Sequence, residues 1–127
     1  MRQGATAVQR RILIIDDSRL VLEVTRTALE QAGYAVATAM TIDEFERERR
    51  ASPPDLIIVD VQMPEILGDD LATTIRAAYG EKAPILLLSS LEPEELARRA
   101  DEAGVRGWVA KRDGMEALVR KVQEVLG

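Results

Sequence analysis

Short apolar runs, each closed by a polar residue and followed by a segment of helical spacing, limit what this chain can fold into. Residues 12–15 read ILII, residues 55–60 read DLIIVD and residues 84–88 read PILLL. Runs that are apolar at nearly every position suit strands buried on both faces. A half-exposed antiparallel strand would alternate instead.

The intervening segments carry helix signals. Over residues 18–31, Leu22, Leu29 and the set Val21, Val24 and Ala28 recur at three- and four-residue spacing, with Ser18 as N-cap and Gly33 as the stop. Residues 34–39 form a second strand. Thr41-Ile42-Asp43-Glu44 has capping-box spacing and opens a helix that runs to about Arg50, where Ser52-Pro53-Pro54 ends it. After the third strand, a loop over 62–68 leads to a helix over 70–78, ended by Gly80. The fourth strand is followed by a charged helix over 93–103, closed by Gly104, and residues 105–110 make the fifth strand. Asp113 and Glu116 repeat the capping-box spacing ahead of a last helix with Leu118, Val119, Val122 and Leu126 on one side.

Five strand–helix units in this order predict a parallel sheet with right-handed crossovers. They are too few for an eight-unit barrel, so the expected architecture is α/β: an open, three-layer, doubly wound sheet in strand order 2-1-3-4-5. The chain of 127 residues accommodates one such domain, over 11–127, behind a polar leader over 1–10 expected to be flexible. Met1 is read as a natural start.

Composition narrows the chemistry. There is no Cys and no His, which removes disulfides, thiolate nucleophiles, Cys/His zinc sites and an imidazole base. Lys and Arg number 17 against 22 Asp and Glu, a net charge of −5 that argues against a dedicated nucleic-acid or anionic-membrane binder. No apolar run approaches the roughly 20 residues that span a bilayer, and no signal peptide is evident, so the expected location is cytoplasmic.

In an open parallel sheet, ligands bind beyond the C-terminal ends of the strands. Asp16 and Asp17 follow the first strand, Asp60 ends the third, Ser89 follows the fourth and Lys111 the fifth. Taken singly, each has a plainer reading: Asp17 or Ser18 as a helix cap, Ser89 as the cap of the next helix, Lys111 as a solvated amine. Their joint placement at one edge distinguishes them. Three carboxylates repel unless neutralised, and a hard divalent cation together with the Lys111 ammonium would do so. Asp60, central in the sheet, is then the candidate nucleophile for an aspartyl phosphate, with Mg²⁺ and Lys111 offsetting phosphoryl charge and Ser89 donating a hydrogen bond. The acidic residues Glu92, Glu94, Glu95, Asp69 and Asp70 are read as solvated helix starts.

The motifs ILIIDDS at 12–18, DLIIVDVQMPEILG at 55–68, PILLLSS at 84–90 and GWVAK at 107–111 together resemble the receiver domain of bacterial two-component response regulators, over residues 11–126. The resemblance implies the flavodoxin-like (βα)5 sandwich. It implies Asp60 as phospho-acceptor, Asp17 as a direct Mg²⁺ ligand, Asp16 acting chiefly through a water, and the backbone carbonyl of Gln62 as a further ligand. Mn²⁺ would be a substitute ion. Ser89 matches the switch hydroxyl, Trp108 the switch aromatic, and Lys111 the amine that pairs with phosphoryl oxygens. The implied donor is a histidine kinase or histidine phosphotransfer protein, because this chain has no His of its own. Leu20 and Arg19 are candidate donor contacts. The implied output surface spans the 93–103 helix, the fifth strand and the last helix, with Arg98, Arg99, Trp108, Arg112 and Met115 on it. That surface would meet a downstream protein or a fused output domain, or pair a monomer into a weak homodimer. No direct nucleic-acid or membrane partner is expected.

Two positions depart from the family pattern. Arg112 stands where Pro usually follows the Lys after a cis bond; a cis bond before a non-proline residue costs about 2.5–4 kcal/mol, which leaves room for a trans bond and a reshaped loop. Leu67 stands where a small polar or acidic residue is usual, making the loop after the third strand more apolar. Neither removes a site group. The competing reading is a receiver that is not phosphorylated and works as a protein–protein binding module. A nucleotide-binding flavodoxin-like domain is disfavoured, since no glycine-rich phosphate loop follows the first strand. By the same resemblance, Gln62 and Leu91 match variable positions that flank the site and tune the phosphorylated lifetime; Leu91 offers no polar group to orient a hydrolytic water, so slow loss of the phosphoryl group is expected.

Overall fold

The apolar runs become strands because each side chain along them finds a buried place on one or the other face of a single sheet. In the computed structural model, residues 9–61, 70, 73 and 82–126 are described. The elements are β1 (Arg11–Ile15), α1 (Arg19–Gln31), β2 (Ala35–Ala39), α2 (Ile42–Ala51), β3 (Leu56–Asp60), β4 (Ile85–Ser89), α3 (Pro93–Ala103), β5 (Gly107–Ala110), a 3₁₀ turn (Lys111–Asp113) and α4 (Gly114–Leu126). The loop expected over 62–68, with Gln62 and Leu67, lies outside the described residues. Of the helix expected over 70–78, Asp70 and Thr73 are described, and both are helical.

The strands are all parallel, in the order β2-β1-β3-β4-β5, as the sequence reading expects. Alternate strand residues divide into two cores. Leu13, Ile15, Ile57, Val59, Ile85 and Leu87 pack with Phe45, Leu96 and Ala100 of α2 and α3. Ile12, Ile14, Leu56, Ile58, Leu86 and Leu88 pack on the other face with Leu22, Leu29, Leu118 and Val122 of α1 and α4. Fully burying one such side chain stabilises by about 1.5–3 kcal/mol. The sheet is thus the middle layer of three.

Caps set where the helices start and stop. Val21 N–H donates to Ser18 Oγ, and Glu44 N–H donates to Thr41 Oγ1. The Glu44 carboxylate reaches back to accept from Met40 N–H rather than from Thr41, so the capping box is shifted by one residue. Gly33, at φ 101°, and Gly104, at φ 68°, take the left-handed conformation that turns the chain out of α1 and α3.

Several expectations change at the level of faces. Val24, expected on the apolar stripe of α1, is 46% exposed, and Thr25 is buried instead. The buried stripe is Leu22, Thr25 and Leu29, a spacing the apolar pattern hides because its middle member carries a hydroxyl. Strand β5 starts at Gly107, later than expected, and Ser89 is the last residue of β4 rather than the first beyond it. Asp113 ends the 3₁₀ turn ahead of α4.

Candidate functional site

The C-terminal edge of the sheet gathers Asp16, Asp17, Asp60, Ser89 and Lys111, whereas Trp108 lies earlier on β5, opposite Leu87. Parallel pairing does this directly: Asp60 stands opposite Leu88, and Ser89 opposite Ala110, the residue before Lys111. Asp16 follows β1 and extends its pairing, its N–H donating to the Ala39 carbonyl at 3.1 Å.

Asp16 and Asp60 are 1% and 2% exposed, whereas Asp17 lies in solvent. Carboxylate oxygens of the three lie within 4.8 Å of one another. Buried carboxylates need charge partners. Lys111 extends from the end of β5 to place its Nζ 3.2 Å from Asp16 Oδ2 and 3.6 Å from Asp60 Oδ1. Asp16 Oδ1 accepts from Ser18 N–H at 2.9 Å, which locks the carboxylate and starts α1 at once. Asp16 Oδ2 is buried and, although at ion-pair distance from Lys111, has no aligned hydrogen-bond donor. Its lone pair is open to a cation. An all-oxygen set of this kind fits a hard divalent ion, so Asp16, Asp17 and Asp60 could hold one.

Ser89 is fully buried, and its Oγ accepts from Leu91 N–H at 3.1 Å. The simple cap reading for this residue gives way to a short turn that pins the loop between β4 and α3. Trp108 is half-buried against the α2/α3 core and lines an open cleft of about 380 Å³ with Arg106, Gly107 and Lys121. The Lys121 side chain lies over Gly107, its Cε within 2.8 Å of where a Cβ would stand, so a larger residue there would have to displace the flexible lysine end. Leu20 is 74% exposed at the start of α1, and Arg19 beside it is also exposed. Leu20, Val21, Val24, Thr25, Leu88, Lys111 and Met115 line a cavity of about 240 Å³ beside the acidic site.

The Lys111–Arg112 bond is trans, and the chain after it coils into the 3₁₀ turn. Arg112 then reaches Glu92, with Nη2 3.1 Å from Oε1. Glu92 and Glu95, expected as solvated helix starts, are both engaged. The Arg99 and Arg98 guanidiniums hydrogen-bond the Glu95 carboxylate and hold it below the ordinary carboxylate range. Arg98, on the output surface that the resemblance implies, is shared between Glu95 and Glu102. The Arg112–Glu92 contact was not legible in the sequence, since the two residues lie twenty positions apart on separate loops. Among the described residues, no helix is long and apolar enough to cross a membrane.

The model of the response regulator receiver domain family matches residues 12–123. The transcriptional regulatory protein PdtaR of Mycobacterium tuberculosis is 32% identical over 118 residues, 92% of this chain and 57% of that protein. KdpE of the same organism is 30% identical over 112 residues, 88% of this chain and 49% of that protein. The chain spans about half the length of these curated relatives, and 16% of a gliding motility regulatory protein of Myxococcus xanthus. Among solved structures, the chemotaxis protein CheY4 of Vibrio cholerae superposes with a TM-score of 0.83 at 29% identity, covering 93% of this chain and 99% of that one. The BeF3-activated DrrB receiver domain gives 0.80 at 25% identity, covering 94% and 98%. With its fold, its acidic edge and the family match over nearly its whole length, this chain belongs to the response regulator receiver domains of two-component systems.

Proposed function

We propose that the chain is a phosphorylation-activated switch that accepts a phosphoryl group on Asp60 from a phosphohistidine donor, in a reaction that needs Mg²⁺. The observation that carries this reading is the burial of Asp60 at the end of the central strand, among two further carboxylates and 3.6 Å from the Lys111 ammonium. A relative described as a response regulator, and a solved receiver domain described as BeF3-activated, support it.

In the transfer, an Asp60 carboxylate oxygen attacks phosphorus. An O–P bond forms, the N–P bond of the donor breaks, and the imidazole leaves with its electron pair and takes up a proton. Lys111 offsets negative charge on the equatorial oxygens. The Ser89 hydroxyl, on the neighbouring strand, would donate to one of those oxygens. Asp16 and Asp17, with Asp60 and the Gln62 carbonyl, would hold Mg²⁺. When bound, the ion screens the carboxylates and polarises the phosphoryl group. Trp108 would report the altered state on the α3–β5–α4 face, where a downstream protein, a fused output domain or a second copy would read it.

The test is transfer from a phosphorylated histidine kinase or phosphotransfer domain, followed as acid-labile acyl phosphate with and without Mg²⁺. Labelling of the wild type and none of Asp60→Asn is expected. Labelling that survives Asp60→Asn, or that ignores Mg²⁺ removal, would refute the assignment. No labelling from any donor, with partner binding retained, would favour the binding-module reading instead.

A further inference from the structure

Several ion pairs of this protein lie within single helices: Glu23–Arg26 in α1, Glu46–Arg49 and Glu46–Arg50 in α2, Glu95–Arg98 and Glu95–Arg99 in α3. Arg112–Glu92 is different. It joins two loops at the C-terminal edge of the sheet, and each partner is only a few residues from a site group.

On one side, Arg112 directly follows Lys111. The 3₁₀ turn they share is closed by Gly114 N–H donating to the Lys111 carbonyl. Lys111 in turn bridges Asp16 and Asp60. On the other side, Glu92 is three residues from Ser89. The path between them is stiff. Leu91 N–H donates to Ser89 Oγ, Leu91 packs against the α2/α3 core, and Pro93 fixes the first turn of α3. Lys111, Arg112, Glu92 and Ser89 thus form a circuit that closes through Asp60, which faces the Lys111 amine and stands opposite Leu88, the residue before Ser89.

We propose that Arg112 and Glu92 are positioning residues for phosphoryl chemistry at Asp60: their ion pair holds the Ser89 loop in register with the Lys111 amine. The inference rests on the acceptor reading above. Both side chains are largely exposed, at 50% and 77%. Exposed pairs contribute little to global stability, so the effect falls on the placement of the loops. For the same reason it weakens as salt rises.

The experiment measures Mg²⁺-dependent beryllofluoride affinity by calorimetry, with the thermal midpoint recorded alongside. Glu92 makes no side-chain cap bond to α3, so Glu92→Gln removes the charge without uncapping the helix. Glu92→Gln and Arg112→Gln are each expected to weaken beryllofluoride binding about two- to fivefold at low salt, with the thermal midpoint unmoved. The doubly reversed variant, Glu92→Arg with Arg112→Glu, is expected to recover affinity to within about twofold of the wild type. The loss in the single variants is expected to shrink between about 0.02 and about 0.5 M NaCl. Single variants that match the wild type would overturn the proposal, as would losses that the reversed pair fails to recover. A wild type that binds no beryllofluoride would overturn the acceptor reading, and the positioning role with it.

Discussion

Asp17→Asn should stabilise the ion-free protein while abolishing its response to Mg²⁺. Three carboxylates lie with oxygens within 4.8 Å of one another, and one ammonium faces them. Lys111 lies at ion-pair distance from Asp16 and Asp60, and Asp17 adds a third negative charge to a pair that one ammonium already compensates only in part. At 4.8 Å, two like charges repel by about 3.5 kcal/mol at an effective dielectric of about 20, and by about 0.9 kcal/mol at that of water. Asp17 is exposed, which places it toward the lower value, and its own attraction to Lys111 offsets part of that. Removing its charge should therefore raise ion-free stability by about 1 kcal/mol, or about 3–5 °C for a domain of this size. Mg²⁺ at about ten times its dissociation constant should add about 1.4 kcal/mol to the wild type by mass action, and close to nothing to the variant. Thermal melts of both proteins, with chelator and across a Mg²⁺ series, measure the two effects together. A variant less stable than the wild type in chelator would show that Asp17 is a structural cap rather than a strained ligand. A variant that keeps the full Mg²⁺ shift would show that the ion binds elsewhere.

Lys111→Met leaves Asp16 and Asp60 buried without their cation, at 1% and 2% exposure. The lysine is itself 26% exposed, so the cost should be about 1–3 kcal/mol, read from urea unfolding; an unchanged midpoint would show that the carboxylates are neutralised another way. Leu91→Glu puts a polar group two residues beyond Ser89 and should speed decay of phospho-Asp60 severalfold; identical decay curves would discard the idea that the apolar residue slows hydrolysis. Glu95 supplies a pH test. Its carboxyl is held below the ordinary 4.5 by hydrogen bonds from Arg99 and then Arg98, so its contribution is present above that value and is lost as pH falls through the folded-state value. The difference in thermal midpoint between wild type and Glu95→Gln should thus be level from neutrality down to about pH 5 and close below it. A difference that stays constant to pH 3 would refute that linkage.

Residues 12–15 and 85–88 are apolar at every position, and that alone requires burial on both faces. Two-sided burial implies parallel strands with helices above and below, and the edge beyond Ile15, Val59, Leu88 and Ala110 becomes the one place for chemistry. Asp16, Asp17, Asp60, Ser89 and Lys111 were therefore legible as a group before any coordinates. The helix stops at Gly33 and Gly104 were equally legible, because a left-handed residue after a helix favours glycine.

Partnership across loops was decided elsewhere. Periodicity reports which face of an element is buried, and says nothing of which charged group on another loop it will meet. Arg112 looked like a lost proline until the trans bond and the 3₁₀ turn carried its guanidinium to Glu92. Thr25 is buried and Val24 exposed because the packing of α1 on the sheet, rather than hydropathy, chooses the stripe. Asp16 loses its solvent while Asp17, one residue on, keeps it, since the chain leaves the sheet between them. The sequence by itself determined the layers, the parallel strands and the strand ends that carry the polar residues, because those follow from local pattern repeated along the chain. The tertiary structure decided which carboxylates are buried, which cation holds them and which loops are tied together, because those depend on distances between residues far apart in sequence.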